Sequence, residues 1–253
     1  MSIVALQVRD NYIIMAGDGV STDPATGKVA AYVSKITTLP DLDCAIAITG
    51  VGGFHYVLQW KMPTWVTDFD DLVEALPELV YDTHNEIHRN NMVQGDNLKT
   101  NVVVAGWSIN EQKYKAVRVL TYAKESTDAE TGETTRLAPF VVHEFTGGGV
   151  WISAAPTDDA SKRFGLMEDI EGEDDAAFLT RVICAGRASS GMISQDGSPY
   201  RFNAGGFVQL AFIQRSDIRS WITYRWPEDV IGEPIRPELG SPLPPSLSLV
   251  EPV

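Results

Sequence analysis

The sequence predicts an α+β fold in which helices pack against β-sheets. Two observations carry this. Strand-like runs open the chain, two helical segments follow at its centre, and further strands come after them. The helical segments are also not interleaved strand by strand, which argues against a doubly wound parallel sheet.

Taken in order, IVALQV (3–8) and NYIIMAG (11–17) are short apolar runs meeting at Arg9-Asp10-Asn11, which reads as a hairpin. Residues 22–28 form a second turn, followed by strand-like VAAYVSKITTL and by DCAIAITG, a strand that ends in the glycines Gly50, Gly52 and Gly53. FHYVLQWKM and DFDDLVEALPELVYDTHNEIHRNNM carry helical spacing, with Leu72, Leu76, Leu79 and Val80 on one face and Pro77 as a kink point. NVVVAGWS, KYKAVRVLTYA and APFVVHEFTGGG predict three strands, with 126–136 as a polar hairpin tip. Residues 154–186 read as one or two helices broken at EDIEGEDD, and YRFNAGG, FVQLAFIQR and IRSWITYRW as a closing strand group. Residues 1–226 read as one domain. From Pro227 the composition turns proline-rich and aperiodic, so 227–253 reads as an extended arm or a disordered tail.

Composition narrows the function classes. At 253 residues the chain can bury a full core, and 44% hydrophobic with 21% charged residues is ordinary for a soluble protein. A net charge of -14 repels phosphates, so nucleic acid and anionic membrane are not expected partners. No apolar stretch reaches the roughly 18 residues of a membrane span, and MSIVALQVRD lacks the pattern of a signal peptide. Cys44 and Cys184 lie in apolar runs and read as buried thiols, which together with the missing leader points to the cytoplasm.

Several residues are candidates for chemistry. Removal of Met1 would leave Ser2 as an N-terminal residue carrying both a hydroxyl nucleophile and an α-amine of pKa about 7.7–8.0, a base near neutrality; equally, Ser2 reads as an ordinary second residue. Asp18 follows the IIMAG run, and Lys35 lies between Val33 and Ile36. The two read either as a buried pair or as an exposed edge lysine near an unrelated carboxylate. His84 and His88 are one helical turn apart, but Asn85 stands where a zinc-protease helix needs glutamate, so they read as solvated histidines. The glycines 147–149 lack a following phosphate-binding lysine and read as a tight turn, and no cofactor or metal is expected.

From Ser2 to about Gly53 the chain resembles the proteasome β-subunits and HslV, the bacterial peptidase that works with an ATP-driven unfoldase. The matching elements are IVALQV after the nucleophile position, IIMAGDG, VSKI and AITGVGG, together with TGGGVWISAA at 146–155. That resemblance implies a four-layer αββα fold of the N-terminal-nucleophile (Ntn) hydrolases. It implies Ser2 as nucleophile, Lys35 tuning its amine, Asp18 orienting Lys35, and the Gly50 N–H as oxyanion donor. Thr146 would match a serine of the glycine-rich turn. Ser190 would match a serine supporting the amine, with Arg187 in the place of the family's aspartate. Thr22, with Ser21 and Thr49, would meet an extended peptide substrate. The implied protein is a peptidase subunit of a ring-like homo-oligomer, with an ATP-dependent unfoldase as partner. The alternative is a catalytically silent protein of the same fold with an assembly role.

Overall fold

The computed structural model describes residues 2–23, 26–90, 99–127, 132, 134–145, 149–168, 170–189 and 204–236. Among them are fourteen strands and four α-helices, an α+β chain that is mostly sheet. In chain order the strands are β1 (Val4–Val8), β2 (Ile13–Asp18), β3 (Val20–Thr22), β4 (Val29–Tyr32), β5 (Ile36–Leu39) and β6 (Cys44–Thr49). Helices α1 (Phe54–Trp60) and α2 (Phe69–Arg89) come next. They are followed by β7 (Asn101–Ser108), β8 (Lys113–Leu120), β9 (Lys124–Thr127), β10 (Thr134–Leu137), β11 (His143–Glu144) and β12 (Val150–Ile152). Helices α3 (Asp158–Arg163) and α4 (Asp175–Ala188) lead to β13 (Phe207–Gln214) and β14 (Asp217–Arg225).

Two antiparallel five-stranded sheets, ordered β12-β1-β2-β13-β14 and β11-β8-β7-β6-β5, pack face to face. The period-2 alternation of side chains decides what each face touches. In β1, Val4 and Leu6 point between the sheets with Ile13 and Met15, against Ala45, Ala47, Val103, Ala105 and Ala116 of the other sheet. The intervening Ala5, with Ile14, Ala16 and Leu210, faces Leu179, Val182 and Ile183 of α4. On the second sheet Cys44, Ile46, Ile48, Val102 and Val104 face α1 and α2.

Helix α2 starts where the Asp68 carboxylate accepts the Asp71 N–H, and it buries Leu72, Leu76, Leu79, Val80, Thr83 and Ile87 at helical spacing. It runs on through Pro77 without interruption. Asp174 caps α4 in the same way. Arg181 then ties α4 to the end of α3, pairing with Glu173 and donating to the carbonyls of Phe164 and Gly165 at 2.6 Å each.

Several expected strands come out differently: among the described residues of YRFNAGG none is in a strand, and the 126–136 tip takes in the ends of β9 and β10. The run 29–39 is split: β4 pairs with β3, whereas β5 joins the sheet of β6, so Val33, Ser34 and Lys35 form the crossover between them. The Ser34 hydroxyl satisfies the Ile36 carbonyl at 2.7 Å, and the Val33 N–H bonds to the Gly19 carbonyl at 3.1 Å, which fixes the break. The expected strand over 138–149 shrinks to β11. Phe140 takes a left-handed conformation (φ 57°) and its N–H bonds to the Leu120 carbonyl, turning the chain away from the ladder.

Of the proline-rich segment, residues 227–236 lie along the β3–β4 hairpin. The Val29 N–H donates to the Glu233 carbonyl at 2.9 Å, the Gly232 N–H donates to the Val29 carbonyl at 2.8 Å, and Ile235 buries against Val20 and Val29. Residues 237–253 lie outside the described residues. No helix among the described residues is long and apolar enough to cross a membrane.

Candidate functional site

Asp18 is the last residue of β2 and is fully buried. One carboxylate oxygen accepts the Ile3 N–H at 2.8 Å; the other accepts the Lys35 ammonium at 2.6 Å and the Gly205 N–H at 3.3 Å. In return the Asp18 N–H donates to the Ile3 carbonyl at 3.2 Å. This reciprocal pairing fixes the backbone directly after Ser2, which is half-buried, beside the Asp18–Lys35 pair. Burial pushes the Lys35 ammonium below its usual range, and the charge and hydrogen bond of Asp18 oppose that without cancelling it. The pair is therefore neither an exposed edge lysine nor a solvated carboxylate.

The crossover holds Lys35 from both sides. Its carbonyl accepts the Ile48 N–H at 3.1 Å, which joins it to the end of β6. Thr49 and Gly50 follow directly. Gly50 has φ 116°, and a Cβ there would collide with the Lys99 carbonyl oxygen, so the turn requires glycine. Ser21 and Thr22 are half-buried on β3, where a register shift separates them.

Thr146 and Ser190 lie outside the described residues. Arg187, in the segment expected to support the amine, instead forms a buried ion pair at 2.6 Å with Asp229 and lies over the Trp226 ring. Asp229 also accepts the Gly206 N–H at 2.7 Å. The buried carboxylates Asp18 and Asp229 thus hold the adjacent glycine amides 205 and 206.

Three positioning residues escaped the sequence reading. The Ser153 hydroxyl accepts the Val4 N–H at 2.9 Å and reaches the Ser2 carbonyl at 3.4 Å. Gly205 holds Asp18. Gln209 on β13 treats Ile36 as a strand neighbour: its Nε2 donates to the Ile36 carbonyl at 3.0 Å and its Oε1 accepts the Ile36 N–H at 3.3 Å. The same amide bonds Ser34 at 2.8 Å and Ser220 at 2.9 Å, so it clamps the residues flanking Lys35. Only Gln209 left a signal, as a polar residue inside the apolar run FVQLAFI.

His84 packs on the Phe140 ring, and no group of three His, Cys, Asp or Glu placed to hold a metal occurs among the described residues. Both cysteines are free and buried, and burial pushes their thiols up, away from reactivity.

Solved structures similar to the chain include Anbu (ancestral beta-subunit) from Yersinia bercovieri, at TM-score 0.57 and 8% identity, covering 90% of this chain and 88% of that one. Anbu from Hyphomicrobium sp. strain MC1 matches at TM-score 0.55 and 12% identity, covering 90% and 89%. The fold is proteasome-like. At such identities the likeness shows the fold alone. No family model matches the sequence, and no curated protein does.

The resemblance to proteasome β-subunits and HslV-like Ntn hydrolases is corrected by these matches. The similar structures are Anbu proteins, a distinct family, and the chain is mostly sheet with few helices. The physical reason is that IIMAGDG, VSKI and AITGVGG mark strand ends and turns of the shared fold. Such motifs do not separate one family on that fold from another.

Proposed function

We propose that this chain is a proteasome-like subunit that hydrolyses amide bonds in peptides with Ser2 as an N-terminal nucleophile, once Met1 has been removed. The observation that carries this reading is the buried Asp18–Lys35 pair, whose carboxylate also holds the amide next to Ser2. A buried cation costs stability unless its charge is used or neutralised, and the carboxylate that neutralises this one also holds the amide of the residue after Ser2, which supports the reading.

In the proposed reaction the Ser2 hydroxyl oxygen adds to the substrate carbonyl carbon while its proton passes to the Ser2 α-amine. The tetrahedral intermediate collapses, the departing amine takes that proton, and an ester to Ser2 remains. Water then adds to the ester, gives a proton back through the amine, and releases the acid. Lys35 keeps the α-amine neutral by its charge, and Asp18 fixes Lys35. The Gly50 N–H, at the left-handed turn after β6, is the proposed oxyanion donor, with Ser21, Thr22 and Thr49 bordering the substrate. Helices on the outer faces of the two packed sheets support a four-layer αββα arrangement for this subunit.

The test is the intact mass of the purified chain before and after an epoxyketone that reacts with both groups of an N-terminal nucleophile. Loss of Met1 and a single adduct, absent in Ser2→Ala, is the expected result. Retained Met1 with no adduct would overturn the reading and leave a catalytically silent assembly protein.

A further inference from the structure

Three arginines are buried among the described residues: Arg118, Arg181 and Arg187. Two of them have carboxylate partners, Arg181 with Glu173 and Arg187 with Asp229. Arg118 is 8% exposed and has none among the described residues. Its guanidinium makes one long hydrogen bond, 3.4 Å to the Ser126 hydroxyl, and its buried Nε has no acceptor. What surrounds it is aromatic, with the rings of Phe145 and Trp151 at 5.1 and 5.7 Å. Cation–π contact offsets only part of the cost of burying a guanidinium.

The charged neighbour of Arg118 makes the anomaly larger. Lys124, at the start of β9, is pushed down by burial and then by the charge of Arg118. Burial raises the nearby Tyr122 phenol, and Arg118 draws it back. Ser126, which Arg118 reaches, and Lys124 are two residues apart on β9 and share a face, so two cations meet there with no counter-charge among the described residues, in a chain that carries a net charge of -14. Like charges held together this way destabilise the fold unless an anion joins them.

We propose that Arg118, Lys124 and Tyr122 form a binding site for a carboxylate group. The unpaired Nε edge of a guanidinium suits the two oxygens of a carboxylate, Lys124 adds a point charge, and Tyr122 adds an O–H donor. The site lies at the β11–β12 side of the two sheets, since Arg118 is paired across from His143 and Trp151 from Leu6. Trp151 is two residues before Ser153, which holds the backbone of Ser2 and Val4, so a bound carboxylate would rigidify the strand that supports the N-terminus. The inference does not depend on Ser2 being a nucleophile. The carboxylate has two sources, a small free carboxylate or an acidic side chain from a second copy of this chain.

The experiment uses the full chain, titrated calorimetrically with glutarate against a chloride background of equal ionic strength, with sedimentation equilibrium on the same samples. Wild type is compared with Arg118→Met, with Lys124→Met, and with Lys61→Met as a control lysine that pairs with Glu86 elsewhere. Saturable glutarate binding, weakened about tenfold by Lys124→Met and unchanged by Lys61→Met, establishes the free-carboxylate source. No glutarate binding, with self-association that Lys124→Met alone reverses, establishes the second-copy source. Glutarate binding no better than chloride together with unchanged association, or glutarate binding that Lys124→Met leaves intact, overturns the proposal. Lys124→Met decides the matter if Arg118→Met fails to fold.

Discussion

Asp18 and Lys35 should be energetically coupled, and a double-mutant cycle measures by how much. The Asp18 carboxylate is fully buried, the Lys35 side chain is 7% exposed, and 2.6 Å separates the charged atoms. Asp18→Asn keeps an oxygen for the Ile3 N–H but turns an amide N–H₂ toward the Lys35 ammonium and the Gly205 N–H. Three donors then face one another without an acceptor, and the buried cation has no counter-charge. Breaking a buried pair by removing one partner costs about 3–5 kcal/mol, and this substitution belongs at the upper end. Lys35→Met belongs at the lower end, because the remaining carboxylate keeps two backbone N–H donors. In the double variant no ammonium is stranded, so its cost should fall short of the sum by about 1–3 kcal/mol. Urea unfolding at neutral pH, read at equal m-values, gives all four numbers. Additivity within about 0.5 kcal/mol would refute the argument, since it would mean that the two groups do not sense each other.

Gln209→Leu should destabilise the chain by about 1–3 kcal/mol, because it strands the Ile36 N–H and takes the Ser220 hydroxyl's partner, leaving the Ile36 carbonyl to Ser34 alone; a loss below about 0.5 kcal/mol in urea unfolding would remove Gln209 as a clamp. A pH dependence follows from His55 and His84, both held below the usual histidine range by burial, with the His88 charge adding to the effect on His84. The unfolded chain binds more protons than the folded one between those lowered values and about pH 6.5. Their contribution is therefore complete above about pH 6.5 and is lost as the pH falls through the folded-state values. His84→Gln should lose less stability than wild type between about pH 7 and 5, measured by urea midpoints, and parallel curves would contradict this.

Local pattern was enough for much of the framework. The β1–β2 hairpin, the apolar face of α2, the strand ending at Thr49 and the break between α3 and α4 follow from period and turn chemistry, which act between near neighbours. Lys35 shows where this stops. The run around it looks like one strand, but Ser34 and Gln209 divide it, and Gln209 is 173 residues from Ile36. The family assignment stopped for a different reason, because the residues quoted for it belong to a fold that more than one family uses.

By itself the sequence determined the α+β class, the order of most of its elements and the acidic net charge, because these depend on composition and on neighbours along the chain. It also supplied Asp18 and Lys35 as candidates, while leaving open whether they meet. Only the tertiary structure decided that they do, that Ser153 and Gly205 complete their setting, and that Arg187 pairs with Asp229. It also decided that Arg118 is buried with no carboxylate partner among the described residues. The reason is physical: whether a polar side chain is buried, and what satisfies it there, depends on groups brought together from distant parts of the chain when the two sheets close.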